Sequence, residues 1–337
     1  MSAAARGRLV LAGCAVAAAA AGCGGSAAGD SGATSASATR TAPAAGAARS
    51  DRWIALRAAP LRRTEVAAAR IGGFIYVVGG FAADGSTTAA VERYDISRNR
   101  WRQLRSMPFG LNHTAAAAVG GALYVVGGYR SRGESAALLR YDPGRDRWSQ
   151  LRSAPSRRGA LAVGVIGHRL YAAGGARSGQ PLRTLEVYNF RTGRWSSAKS
   201  MSVAREHLAA TVFAGALYVL AGRAAGVGNF AVAERYLPGA RRWERLPDMT
   251  TPRGGIAAAS VAGRVVVLGG EQLSEGGTTI KEVEAYDPGR RSWTRLPDML
   301  TPRHGLGAVA EGRRIFAIEG GPRPGLHFSN AIEALDL

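Results

Sequence analysis

The chain has 337 residues, with 44 basic and 24 acidic side chains and a formal charge of +20. All the basic residues except Lys199 and Lys281 are arginine, spread along the chain with no basic stripe and no nucleic-acid motif, which argues against nucleic acid as a partner and leaves a GC-rich coding bias or attraction to anionic surfaces. The two cysteines, Cys14 and Cys23, precede residue 51, so the rest of the chain has no disulfide and no thiolate chemistry.

The first element is a leader. Arg6 and Arg8 precede an apolar run from Leu9 to Ala21, the length of a signal segment and short for a membrane span. Ala20 to Cys23 reads AAGC and resembles a bacterial lipoprotein signal, with Cys23 as the lipidated residue. Cys14, in LAGC, is the competing acceptor but leaves too little apolar chain before it. Residues 24–50 are rich in Ala, Ser, Gly and Thr without apolar periodicity, as expected of a disordered tether, roughly 30 Å in mean span.

From residue 51 to 337 one stretch recurs six times. Its first copy is FIYVVGG, a polar loop, then VERYDISRNRW, ending at Trp101. The apolar run predicts a strand stopped by Gly79-Gly80, Val91 to Asp95 a second strand, and Trp101 opens a third. One more strand is expected upstream, over Glu65 to Ile71. Tryptophan stands at 53, 101, 148, 195, 243 and 293. Twenty-three residues on are Tyr76, Tyr124, Tyr171, Tyr218, Val266 and Phe316, and seven residues before each later Trp is a Tyr. Four strands in about 47–50 residues is the period of a propeller blade.

The motifs YVVGG, YVVGGY, YAAGG, VVLGG, VERYD and VEAYD, with the spaced Trp, resemble the Kelch repeat over Trp53 to Leu337. The resemblance implies an all-β, six-bladed Kelch-type β-propeller with four antiparallel strands per blade. Departures are Ala221-Gly222 and Glu319-Gly320 in place of Gly-Gly, and Leu139 where other repeats carry Glu. A lone Trp53 strand opens the repeats and the last repeat ends without a Trp, so Trp53 is expected to complete blade six and close the ring. Inner strands such as Ala115 to Val119 are rich in small residues, as a crowded axis needs. The repeated Tyr and Trp are expected to pack between sheets, and the repeated Glu, half-buried, to need a donor.

Strand direction puts the variable second-to-third loops and the blade connections at one end, the candidate binding face. Ten residues after each Trp stand Arg63, Arg158, Arg205, Arg253 and Arg303, with Leu111 breaking the set. Each either ties a turn or joins a guanidinium ring at the mouth suited to an anion; the resemblance implies that some contact ligands. His113, His207, Tyr129, Arg223 and His327 complete the candidate site. Loop residues Phe81, Arg130, Arg132, Arg177, Phe230, Glu271, Arg323 and Phe328 are further contacts. His113 and His207 are twelve residues after their Trp and His304 eleven, so strand alternation turns His304 to the other face, and no metal site is expected. No cofactor motif is present, and the missing cysteine disfavours a copper-radical oxidase.

The functional expectation is a monomeric, membrane-tethered extracytoplasmic module that binds a protein or an anionic envelope glycan. The alternatives are a sugar mutarotase or epimerase, with Glu65, Glu206, His113 and His207 supplying acid and base, and a structural spacer in the envelope.

Overall fold

Apolar runs of five residues, cut by glycine and by Asp-led turns, give strands of five residues. In the first repeat these are Ala67–Ile71, Phe74–Val78, Val91–Asp95 and Arg100–Gln103. They pair antiparallel in chain order, with Ile75 opposite Tyr94 and Tyr94 opposite Trp101. The same register recurs through the chain, Tyr141 facing Trp148, Tyr188 facing Trp195, Tyr236 facing Trp243 and Tyr286 facing Trp293. A computed structural model describes residues 52–273 and 276–337, which form a six-bladed, all-β propeller. The expected leader, Cys23 and tether lie outside the described residues.

Blade six is built from both ends of the domain. Gly307–Glu311, Arg314–Gly320 and Ser329–Asp336 supply three strands. The fourth is Ile54–Ala55, with Ile54 opposite Ala334 and Ala55 opposite Glu333. The expected closure by the Trp53 strand is therefore present. Each indole Nε1 donates to a carbonyl on the preceding blade's exit: Trp101 to Arg57, Trp148 to Arg105, Trp195 to Arg152, Trp243 to Lys199, Trp293 to Pro247. Trp53 completes the circle by donating to Pro297 at 2.8 Å.

The core is divided among the blade interfaces. Between blades six and one, for example, Phe316, Ile318 and Ile332 meet Ile75, Val77 and Tyr94, all nearly inaccessible. Burial of such side chains contributes about 1.5–3 kcal/mol each. Alanine and glycine on the inner strands let the sheets converge. Gly164 is an instance, since a Cβ there would lie 2.5 Å from Leu217 Cδ1.

The Gly-Gly motif has a steric cause. Gly79 and Gly80 both have positive φ, and a Cβ on Gly79 would lie 2.2 Å from the Leu111 carbonyl oxygen. The Gly80 amide donates to that same carbonyl at 2.8 Å. The motif thus ends a strand and docks it on the next blade. Ala221 and Glu319, which replace the first glycine in two repeats, keep the left-handed backbone at φ 47° and 54°.

Candidate functional site

The five arginines lie inside the blades, not at the mouth. Arg63, Arg158, Arg205, Arg253 and Arg303 are 0–1% exposed. Each leaves the blade connection and runs beneath the glycine motif of its own blade to the repeated glutamate. Arg158 Nη2 meets Glu186 at 2.8 Å, Arg205 meets Glu234 at 3.0 Å and Arg303 meets Glu333 at 3.2 Å; Arg253 pairs with Glu284. Carbonyls at the end of the second strand take further donors, as Arg158 Nη1 to Gly174 at 3.0 Å. The structure uses each of these guanidiniums to tie the blade connection to the third strand of its own blade. It also supplies the donor that the repeated glutamate was expected to need.

Arg63 has two carboxylates. It bonds Glu319 through Nε and Nη2, both at 2.9 Å, and Glu92 through Nη2 at 2.8 Å. Burial pushes the Glu92 carboxyl up to about 7 against the pull of Arg63, and Glu319 adds to the rise. Glu319 itself is raised by burial.

The mouth is built by the twelfth residue after each Trp: Glu65, His113, Ala160, His207, Gly255 and Gly305. All have left-handed backbone, with φ between 49° and 66°. Their amides and carbonyls form a closed hydrogen-bonded ring about the axis. His113 N donates to Glu65 O, Ala160 N to His113 O, His207 N to Ala160 O, Gly255 N to His207 O and Gly305 N to Gly255 O, and Val66 N returns to Gly305 O. Glycine takes this backbone freely, whereas Glu65, His113 and His207 hold it at a cost of about 1–3 kcal/mol each. These three side chains turn into an axial cavity of about 70 Å³.

Around them the residue just before each ring position and the residue just after each glycine pair form bridges: Asn112 with Tyr129, Glu206 with Arg223, Gly254 with Glu271, His304 with Gly321. The result is one polar network. His113 Nε2 lies 3.3 Å from Glu65 Oε2, and its Nδ1 lies 2.6 Å from Asn112 Oδ1. His207 Nδ1 bonds Glu206, whose other oxygen accepts from Arg223 at 3.0 Å. Arg223 also donates to Glu271 at 2.7 Å. The His113 and His207 rings meet edge-to-face at 4.8 Å, and Tyr129 packs edge-on to His113 at 5.4 Å.

His304 belongs to the same network, contrary to the expectation from alternation. Its Nδ1 is 3.2 Å from Glu65 Oε1, and its Nε2 is 3.0 Å from the carbonyls of Arg323 and Gly325. Alternation holds along an extended strand, and the left-handed residue that follows His304 interrupts it. Burial works against a charged His304, yet the bond to Glu65 and the charges of Glu65 and Glu271 raise its pKa. Burial also opposes ionisation of Glu65, but His113 and the hydrogen bond from His304 hold its carboxyl far below the usual range. His113 goes the other way: burial drops it to about 4 despite Glu65. Burial lifts Tyr129 to about 12, with Glu206 adding to the shift.

The other expected contacts divide. Arg130 and Arg177, in two-residue strands, and Arg132 and Arg323, in loops, are exposed, and Phe81, Phe230 and Phe328 are half-buried. His327 is exposed and bonds Pro324 O within its own loop, apart from the axial network. Beside Arg223 and Glu206, an open cleft of about 680 Å³ runs to Asn229, Gln272, Val227 and Leu273. Sequence reading missed Asn112 and the apolar tips Val227, Leu273, Leu300 and Leu326. Counting eleven residues from Trp101 locates the first; no periodic signal marks the tips, because they sit in unequal loops.

The KLHDC2/KLHL20/DRC7 Kelch-repeats domain matches residues 50–222, and the Kelch motif matches residues 252–300. The chain belongs to the Kelch-repeat family. Kelch propellers commonly bind protein partners, and the family suggests an interaction module. The solved structure of YjhT has the same fold, with a TM-score of 0.73 at 16% identity, over 82% of this chain and 95% of that one. No curated protein matches this Kelch chain in sequence.

Proposed function

We propose that this Kelch propeller is an extracytoplasmic binding module, lipid-anchored through Cys23, that docks a protein on the variable-loop face of blades four to six. One observation carries the docking. Among the described residues the exposed large apolar side chains are Val227 at 73%, Leu273 at 52%, Leu300 at 56% and Leu326 at 56%. Three are on second-to-third loops and Leu300 is on the connection into blade six, so all four share one face and one half of the ring. Exposed apolar tips on one face, with Val227 and Leu273 lining an open cleft, are features of a protein-docking surface. An anionic glycan loses its main support, since the arginines that favoured it are buried in ion pairs.

The test passes envelope extract over the full chain and over a V227S/L273S/L300S/L326S variant. Retention of a partner by the wild type in high salt, and its loss on the variant, is the expected result. Equal retention by both chains, or a partner displaced by salt alone, overturns the apolar docking face. Cys23→Ala should move the protein from the membrane to the soluble fraction.

A second reading, sugar anomerisation, is favoured by the Glu65–His113 contact at the axis, which places a carboxylate and an imidazole in one small cavity. Polarimetry on reducing sugars with and without the protein tests it; unchanged rates across neutral and acidic sugars remove it.

A further inference from the structure

We propose that Glu65, His113 and His207 form a binding site for a divalent transition metal of the zinc class, set on the propeller axis beneath the variable-loop face. The site is separate from the apolar docking half and stands whether or not that face binds a protein. One ligand atom from each of the three side chains lies within 4.8 Å of the other two. His113 Nε2 and Glu65 Oε2, at 3.3 Å, already have the separation of two corners of a tetrahedron whose metal bonds are about 2.0–2.2 Å. The third ligand must close in by up to about 1.5 Å to reach the same separation. The site is mostly shielded, with His113, Glu65 and His207 side chains 14%, 10% and 9% exposed. A cavity of about 70 Å³ has room for an ion with one bound water, at about 30 Å³ for the water.

The surroundings are those of a ligand set. Asn112 Nδ2 donates to Thr87 Oγ1 at 2.7 Å, which leaves Asn112 Oδ1 to accept the His113 Nδ1 proton. Glu206 likewise accepts from His207 Nδ1, with its own position fixed by Arg223. In each imidazole the outer nitrogen is thus spent on an oxygen acceptor, and Nε2 keeps its lone pair for the axis. Metal-bound histidines are held in this way by a carboxylate or an amide oxygen. His304 does the same for the carboxylate, bonding Glu65 Oε1 at 3.2 Å. Without a cation, the His113 Nε2 lone pair would face a carboxylate oxygen across 3.3 Å, two acceptors with nothing between them. Such a contact requires a proton or a metal. The backbone agrees: Gly255 and Gly305 serve the same ring position without strain, yet three of the six positions keep coordinating side chains at positive φ. Two histidines and one carboxylate suit zinc or a similar ion and leave a coordination position open toward the mouth.

The experiment uses the full chain, stripped with chelator and titrated with zinc and with cobalt(II). Expected are one equivalent bound by calorimetry, a melting temperature raised by zinc and restored by chelator, and a cobalt visible spectrum without thiolate charge-transfer bands, which sets Cys14 and Cys23 aside. His113→Ala and His207→Ala should each weaken binding by at least tenfold, and Asn112→Ala by about tenfold as an outer partner. Alanine is tolerated at this ring position, because Ala160 occupies it at φ 53°, so these variants keep the fold; His168→Ala, outside the cluster, should bind as wild type. Failure of the wild type to bind one equivalent, undiminished affinity in His113→Ala and His207→Ala, or thiolate bands in the cobalt spectrum overturns the site. Sugar anomerisation that proceeds in the stripped protein and is indifferent to zinc also overturns it, and returns the three side chains to acid–base work.

Discussion

In blade three, Arg158 crosses under the glycine motif to Glu186, both almost wholly buried at a contact of 2.8 Å. In blade two the same two positions are Leu111 and Leu139, each with 0% exposure, in one apolar cluster with Val91, Met107 and Val125. Both departures were visible in the sequence as separate breaks in the Arg set and the Glu set. The structure shows them to be one substitution: a buried ion pair exchanged whole for an apolar pair. Neither half of the pair is viable alone, since a lone buried charge costs several kcal/mol whereas an apolar pair in the same volume is often neutral or better. The ion pairs are thus one solution to packing beneath the glycine motif, and an apolar pair is another.

The largest effect is expected from creating half a pair. Arg158→Leu leaves Glu186 buried without its guanidinium, and a loss of about 3–5 kcal/mol is expected, read as a lower midpoint in urea. The converse change in blade two, Leu139→Glu alone, should cost nearly as much; adding Leu111→Arg should recover most of it, and a double variant no better than the single breaks the equivalence of the two blades. Third in size is Arg158→Leu with Glu186→Leu, expected to regain about 2 kcal/mol or more of the single-variant loss. The recovery stays incomplete where carbonyls such as Gly174 lose their donor.

The smallest effect is expected at blade one, where Arg63 holds Glu92 and Glu319 together. With the folded Glu92 carboxyl at about 7, above its unfolded value, the native state holds a proton that the unfolded chain has released. Its contribution is fully present below the unfolded pKa and is lost as pH rises through about 7, so the melting temperature should fall over that window. Glu319→Gly removes the second carboxylate and restores the glycine that the left-handed backbone prefers, relieving about 1 kcal/mol. That variant should flatten the pH dependence in part, since burial is the larger cause of the rise and Glu319 adds to it; an unchanged slope would show that Glu319 adds nothing.

Most of the architecture was legible because a blade is a local object. The Tyr-to-Trp register, the glycine stops and the orphan Trp53 strand are fixed by short spacings along the chain, and the structure reproduces each. The buried position of Arg63 and its counterparts was half legible: their period showed that they were equivalent, but not whether the side chain ran outward to the mouth or inward to Glu92. His304 was misplaced because alternation was carried through a residue whose φ turns positive.

Six repeats and their strand order follow from spacings within about 50 residues, and the join of the two ends from a Trp strand that is extra at the start and lacking at the end. It took the closed ring to bring Glu65, His113 and His207 into one cavity, with His304 bonded to Glu65. They come from four different blades, with Glu65 and His304 separated by 239 residues. What unites them is closure of the ring, which brings the twelfth residue after each Trp, and His304 one place before it, to the axis, where side chains from distant repeats meet.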